Sequence, residues 1–300
     1  MPDPKRILLV GPGAVGGTVA AWLVHAGHEV TLAVRTPFER LRVETPERLL
    51  DATPSIICDP SEAGAADWIL VATKTYDVDA AAAWLAGMDS AKVAILQNGI
   101  EHAARFLPFV PVERLLPVMV DIPAERDAPG RIRQRGKGIM QVPAGGNGAE
   151  FANLFAATAI EVTQVEDFTT ALWRKLCINV AGAVSALTDE PSSVARRERA
   201  AELMRNLIRE CIAVGRAEGA QLDDEIAETV VRHYRSSQPD SINSIHADRR
   251  AGRRTEWDAR NGVVSRLGRR HGIATPVSDT VCALLAAIDE RSQGIAPTGD

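Results

Sequence analysis

The feature that most constrains this chain is its opening. An apolar run, Ile7-Leu8-Leu9-Val10, passes without a gap into Gly11-Pro12-Gly13-Ala14-Val15-Gly16-Gly17 and then into a helical pattern. The run predicts a parallel strand buried on both faces, and Thr18 to Ala26 predicts the helix that packs on it. Gly11 lets the chain turn sharply out of the strand. Gly13 has no Cβ, so a pyrophosphate can approach the backbone, and Gly16 lets helix and strand pack closely. Phosphates would then sit over the free N–H groups of Ala14, Val15 and Gly16, at the positive end of the helix dipole. A Gly-x-Gly-x-x-Gly pattern alone also occurs in plain tight turns. Here a strand precedes it and a helix follows, the context that marks dinucleotide binding.

The second strand refines the cofactor. Gly27 ends the helix, and Glu29 to Val34 reads as the next strand, followed by Arg35. A site for NAD places Asp or Glu at the end of this strand, on the ribose 2′-OH. Here no acid repels a 2′-phosphate, and a guanidinium is present to bind one. The expected cofactor is therefore NADP (NADPH), with a solvated surface arginine as the plain alternative.

Beyond this segment the strand and helix patterns alternate. Trp68 to Ala72 reads as a third strand with Asp77 to Leu85 as its helix. Lys92 to Leu96 reads as a fourth, with a helix ending near Leu107, and Leu115 to Val120 as a fifth. Arg131 to Arg135 and Ile139 to Val142 flank Gly136-Lys137-Gly138 and read as an antiparallel pair. A helix over Ala149 to Ala157 and a short strand over Ile160 to Val162 follow. From about Asp167 helical periodicity runs almost unbroken to Ile288. Helices are predicted over Phe168 to Leu187, Val194 to Glu218, Asp223 to Tyr234, Ser241 to Arg249, Glu256 to His271 and Pro276 to Arg291, with a fraying tail from Ser292. The fold class is thus α/β: an N-terminal Rossmann-type, doubly wound sheet over residues 1–166 and an all-helical domain over 167–300.

Three hundred residues fit two domains, and an apolar share of 46% suffices for sizeable cores. A net charge of −5 argues against general affinity for nucleic acid. The basic cluster Arg131 to Lys137 lacks aromatic neighbours and reads as a solvated strand edge. Cys58, Cys177, Cys211 and Cys282 have no metal-ligand spacing, and the last three fall in apolar helical runs as buried thiols. The six histidines form no metal motif, so no metal is expected. Residues 1–6 run straight into the first strand and no apolar run could span a bilayer, so neither a signal peptide nor a membrane contact is expected, and a cytoplasmic setting follows.

Several polar residues stand where ligands bind. Lys74 follows the third strand, at the end of the sheet that faces a cofactor, although a solvated lysine is the default elsewhere. Asn98-Gly99 follows the fourth strand, where Asn-Gly also serves plain turn chemistry. In the helical part, Lys175 and Asn179 are four residues apart and share a helix face beside Leu172, Leu176, Ile178 and Val180. A polar group beside a buried stripe needs a partner or a purpose, or it snorkels to the surface. Ser244 and Asp248 share another face. Glu256 falls in the first turn of its helix, where the dipole alone favours an acid, and Asn261-Gly262 interrupts that helix.

In order and spacing these motifs resemble the ketopantoate reductases (2-dehydropantoate 2-reductases). The resemblance runs from Gly11-x-Gly13-x-x-Gly16 through Lys74, Gln97-Asn98-Gly99, Trp173-Arg174-Lys175-Leu176, Asn179, Ser244 and Asp248 to Arg254-Thr255-Glu256 and Asn261-Gly262. It implies NADPH-dependent reduction of a small-molecule 2-oxo acid, with ketopantoate the leading substrate, in a cleft between the domains. It implies Lys175 as general acid and Glu256 as the residue that orients it or the substrate hydroxyl. It implies Asn98, Asn179 and Ser244 as substrate-binding, and Asn98, Lys74 and Arg35 as cofactor-binding. A homodimer is compatible with it. The chain departs from the pattern at Ala183, where relatives carry a second asparagine, and at Trp257 and Arg260, which replace aliphatic residues. Two other readings stay open on sequence alone: a related NADP-dependent dehydrogenase of another hydroxy acid, sugar acid or imine, and a regulator that senses NADPH without catalysis.

Overall fold

The computed structural model describes residues 3–295. It divides into two compact units, Met1–Phe168 and Thr169–Asp300. Of the tail expected to fray from Ser292, residues 296–300 lie outside the described residues.

The first unit holds strands β1 (Arg6–Val10), β2 (Glu29–Ala33), β3 (Leu41–Glu44), β4 (Leu49–Ala52), β5 (Ser55–Ile57), β6 (Trp68–Val71), β7 (Lys92–Ile95), β8 (Leu115–Pro117), β9 (Met119–Asp121), β10 (Ala124–Ala128), β11 (Arg131–Gln134), β12 (Ile139–Pro143) and β13 (Glu161–Val165). Its helices are α1 (Ala14–His25), α2 (Val78–Ala82), α3 (His102–Phe106) and α4 (Gly146–Leu154). Six strands form a wholly parallel sheet in the order β5-β2-β1-β6-β7-β8. β1 shows why its sequence is apolar without interruption. Ile7 and Leu9 join one core, with Val19, Trp22 and Leu23 of α1. Leu8 and Val10 join a second core on the other face, with Ile69, Val71, Val93 and Ile95. Burial on both faces leaves no solvent side to carry polar residues. The strand order reverses between β1 and β6, so the loops that leave their carboxyl ends open a crevice there.

Several expected elements are corrected. The run Leu115 to Val120 is two strands, because β8 completes the parallel sheet and β9 pairs antiparallel with β12 in a separate sheet of order β13-β12-β9. β11 and β12 are not an antiparallel pair. β11 pairs antiparallel with β10 and parallel with β3, and β12 pairs with β9 and β13. The Arg131 to Lys137 cluster is therefore no strand edge: β11 is an inner strand of the sheet β10-β11-β3-β4, whose two N-terminal members went unread. Helix α1 starts at Ala14 rather than Thr18, so the glycine turn runs directly into helical backbone.

The second unit is helical: α5 (Phe168–Ala181), α6 (Ala183–Thr188), α7 (Glu198–Ala217), α8 (Ile226–Ser236), α9 (Ser244–Arg250), α10 (Val263–His271) and α11 (Pro276–Ser292). The helix expected over Phe168 to Leu187 breaks at Gly182. A Cβ there would stand 2.9 Å from the Tyr234 hydroxyl and 3.0 Å from Asn243 Nδ2. The freed carbonyls of the break are met by side chains of other helices. Tyr234 donates to the carbonyl of Ile178 at 3.0 Å, and Asn243 to that of Gly182 at 3.0 Å. The helix expected from Glu256 begins instead with a π-turn over Asp258–Gly262 that leads into α10. Cys177 and Cys211 are buried thiols, their sulfurs 3.7 Å apart, and Cys282 is buried too.

Candidate active site

In the first unit the predicted cofactor residues fall on loops at the carboxyl ends of adjacent parallel strands. Gly11 has φ +86°, a conformation that excludes most side chains, and a Cβ on it would lie 2.7 Å from Thr73. The turn after β1 thus presses on the loop after β6. On Gly16 a Cβ would lie 2.5 Å from the Gly11 carbonyl and 2.8 Å from Ala72, so close packing there needs glycine. Gly13 faces open space. It precedes the first turn of α1, whose N–H groups receive no side-chain cap and no acidic neighbour. An open cradle, uncapped donors at Ala14, Val15 and Gly16, and the positive end of a twelve-residue helix fit a pyrophosphate.

Three further residues line the same end of the sheet. Lys74 follows β6 and is partly buried, and Asn98 follows β7 and is partly buried. The two loops are tied by Gln97, whose Nε2 donates to Thr73 Oγ1 at 3.0 Å and to the Lys74 carbonyl at 3.2 Å. Gln97 was read from the sequence only as part of Gln97-Asn98-Gly99 and given no role of its own, since a buried glutamine after a strand carries no local pattern. Arg35 follows β2, with its side chain 85% exposed, and pairs with Asp77 at 3.1 Å. The next turn holds His102, 1% exposed, at the start of α3. Burial pushes its imidazole down to about 4, against a hydrogen bond with the Gln97 backbone, while the nearby Arg105 charge lowers it further.

The second unit holds two of the predicted substrate residues, Asn179 and Ser244, and links them through a residue that sequence reasoning left out of the site. Lys175 and Asn179 lie one turn apart on α5, the lysine partly buried and the asparagine 7% exposed. Ser244 opens α9, after Asn243 has capped that helix by accepting from the His246 N–H at 3.1 Å. Glu256 is 4% exposed and stands just before the π-turn. The preceding Thr255 is anchored to α11, where Asp289 Oδ2 accepts from its N–H at 3.0 Å and its hydroxyl at 3.1 Å.

Arg260, inside the π-turn and 3% exposed, links these parts. Its Nη2 donates to the backbone oxygen and to Oδ1 of Asn179, both at 3.1 Å, and its Nη1 donates to Ser244 Oγ at 3.2 Å. Asn261 donates to the Val180 carbonyl at 3.2 Å. Burial lowers Arg260 from the usual arginine value, and the nearby Tyr234, Glu256 and Asp248 act the other way. A guanidinium in this position remains a cation at neutral pH. The signal that could have found it was present: Arg260 breaks an otherwise apolar helical face beside Asn261-Gly262. A π-turn often marks a functional site.

Among the described residues no group of three or more His, Cys, Asp or Glu side chains could hold a metal ion, and no helix is long and apolar enough to cross a membrane.

Comparison with known proteins places this arrangement. The family model described as "Ketopantoate reductase PanE/ApbA" matches residues 7–147, and "Ketopantoate reductase PanE/ApbA C terminal" matches residues 167–289. A 2-dehydropantoate 2-reductase of Caulobacter vibrioides is 55% identical over 284 residues, covering 94% of this chain and 98% of the relative. One from Mycobacterium tuberculosis is 41% identical over 292 residues, covering 95% and 98%. Among solved structures, a PanE/ApbA family ketopantoate reductase from Ralstonia eutropha superposes with a TM-score of 0.88 at 33% identity, covering 96% of this chain and 99% of that one.

Proposed function

This chain belongs to the ketopantoate reductase family, and we propose that it reduces ketopantoate to pantoate with NADPH. It is an oxidoreductase acting at a CH–OH group. The observation that carries the substrate reading is the polar cluster of the second unit, where the buried guanidinium of Arg260 bonds both the buried Asn179 and the exposed Ser244, with Lys175 one turn from Asn179 on α5 and the buried Glu256 just before the π-turn.

NADPH, when bound, supplies the hydride. The residues of this chain supply the rest. The uncapped N–H groups after Gly13 hold the pyrophosphate, and Arg35 and Lys74 hold the 2′-phosphate and ribose. Asn98, Asn179 and Ser244 hold the substrate by its oxygens. As the carbonyl carbon gains a hydride, its oxygen gains negative charge, and Lys175 delivers the proton that completes the alcohol. Glu256 keeps the lysine in place. A cytoplasmic enzyme, able to form a homodimer, fits this reading.

The test is NADPH oxidation, followed at its near-ultraviolet absorbance, with ketopantoate and a panel of other 2-oxo acids, repeated with NADH. Rapid turnover of ketopantoate with NADPH is expected. An inert ketopantoate beside a quickly reduced alternative would overturn the substrate and leave the reaction class.

A further inference from the structure

We propose that Arg260 is a positioning residue that fixes the polarity of the substrate pocket, making both Asn179 and Ser244 present donors, so that the pocket is committed to a 2-oxo acid anion. The inference rests on the reading above, in which Asn179 and Ser244 hold the substrate.

An asparagine amide can offer a ligand either its oxygen or its NH₂ group, and the two ends are alike in shape. Its neighbours decide which. A guanidinium has five N–H donors and no acceptor. Nη2 of Arg260 lies 3.1 Å from both Asn179 oxygens, backbone and side chain. Only the oxygen end of the amide can face it, since the reverse would set donor against donor. Asn179 Nδ2 is therefore turned away from Arg260, with its protons left for a ligand. The same logic holds for Ser244. Its Oγ accepts from Nη1 at 3.2 Å, so its single proton is left to donate elsewhere.

Two properties make the lock firm. The guanidinium is planar, so the two nitrogens that grip Asn179 and Ser244 keep a fixed spacing. It is also 3% exposed and sits in a π-turn whose next residue, Asn261, is bonded to the Val180 carbonyl of α5. Rotating it out would leave buried acceptors without donors. The chemical consequence is specific. A carboxylate and a ketone accept hydrogen bonds and donate none. They match the donors the pocket offers: Lys175, Asn179 Nδ2 and the Ser244 hydroxyl. A 2-oxo amide of the same shape carries N–H groups, which would meet these donors head on.

The inference is tested by steady-state kinetics with NADPH on six variants: N179A, N179D, S244A, R260K, N179A/S244A and N179A/S244A/R260K. N179A and S244A are each expected to raise KM for ketopantoate about tenfold, as for a lost polar contact to the substrate. N179D keeps the oxygen that Arg260 grips and turns the outward donor into an acceptor. It is expected to raise KM at least about tenfold more than N179A does. R260K keeps the charge but offers a single point instead of a fork. It should raise KM more than it lowers kcat, bind NADPH as the wild type does, and lose about tenfold of the preference for a 2-oxo acid over its 2-oxo amide. In the N179A/S244A background R260K should add little, because it acts through those two residues. An N179D enzyme with KM no higher than that of N179A overturns the proposal, and this variant leaves Arg260 in place should R260K fail to fold. An R260K penalty that persists undiminished without Asn179 and Ser244 overturns it as well. Wild-type kinetics in both N179A and S244A would remove the substrate-holding reading itself, and the inference with it.

Discussion

A hydride that reaches a carbonyl carbon leaves charge on the oxygen, and Lys175 is the only lysine of the helical unit available to meet it. A protonated lysine is the acid that reduction requires. Lys175→Ala should lower kcat by roughly a hundredfold or more, in line with a lost general acid. Glu256→Ala should also be severely impaired, and the double variant should lose less than the product of the two single losses, as for residues acting as a unit. A near-normal kcat in Lys175→Ala would show a snorkelling surface lysine instead. In the proposed reading Arg35 carries the cofactor preference. Its removal should weaken NADPH binding by about ten- to a hundredfold, for a charge-assisted contact of roughly 1.5–3 kcal/mol, and leave NADH almost unchanged. The structure adds a term that the sequence did not. Arg35 is held by Asp77 at 3.1 Å, so a phosphate must compete with a carboxylate. An exposed pair of this kind is worth about 0–1 kcal/mol, so Asp77→Ala should tighten NADPH by up to a few-fold and leave NADH alone. Titration of each variant with both cofactors decides the point, and equal shifts for both would contradict the role given to Arg35.

The loop after β7 shows how an element can carry pH dependence. His102 opens α3, and its burial sets the folded imidazole at about 4, against about 6.5 in the unfolded chain. Because the folded value is depressed, the unfolded chain binds the proton more readily. The contribution to stability is full above about pH 6.5 and is lost as the pH falls towards 4. Between pH 7 and pH 5 this amounts to about 2 kcal/mol. Urea unfolding at the two pH values should show that loss in the wild type and a smaller one in His102→Gln. Equal losses would mean that other groups govern the acid limb. Elements of this kind also mark what sequence could and could not give. The strand, glycine turn and helix at residues 7–25 were legible because an uninterrupted apolar run, a glycine turn and a second apolar run follow one another directly in sequence. The short strands at 41–57 were not, since β3 has its register set by a parallel partner, β11, nearly ninety positions away. The break at Gly182 was equally hidden, because the carbonyls it frees are met by Tyr234, Asn243, Arg260 and Asn261, all remote in sequence. The candidate site residues were picked out of the sequence one by one. Their coupling through Arg260 was not, for a π-turn has no signature in the spacing of apolar residues.

At the scale of the whole molecule, the two kinds of residue divide between the two units. Every residue assigned to the cofactor lies at the carboxyl ends of β1, β2, β6 and β7, in a unit with cores on both faces of its sheet. The lysine and the polar cluster assigned to proton delivery and substrate selection lie in the helical unit. A ligand that binds only the folded state stabilises it by an amount fixed by its affinity, about 2.7 kcal/mol at a hundredfold excess over Kd. Binding and chemistry should therefore come apart by mutation. In thermal unfolding with saturating NADPH, Lys175→Ala should keep the full upward shift in Tm while turnover collapses. Arg35→Ala should do the opposite: at the same NADPH concentration its shift should shrink, while kcat at saturating cofactor stays close to that of the wild type. With NADH the two variants and the wild type should shift alike, because no 2′-phosphate is present for Arg35 to hold. If Lys175→Ala lost its NADPH-linked stabilisation as Arg35→Ala does, the lysine would be a cofactor ligand, and the proton would have to come from another group.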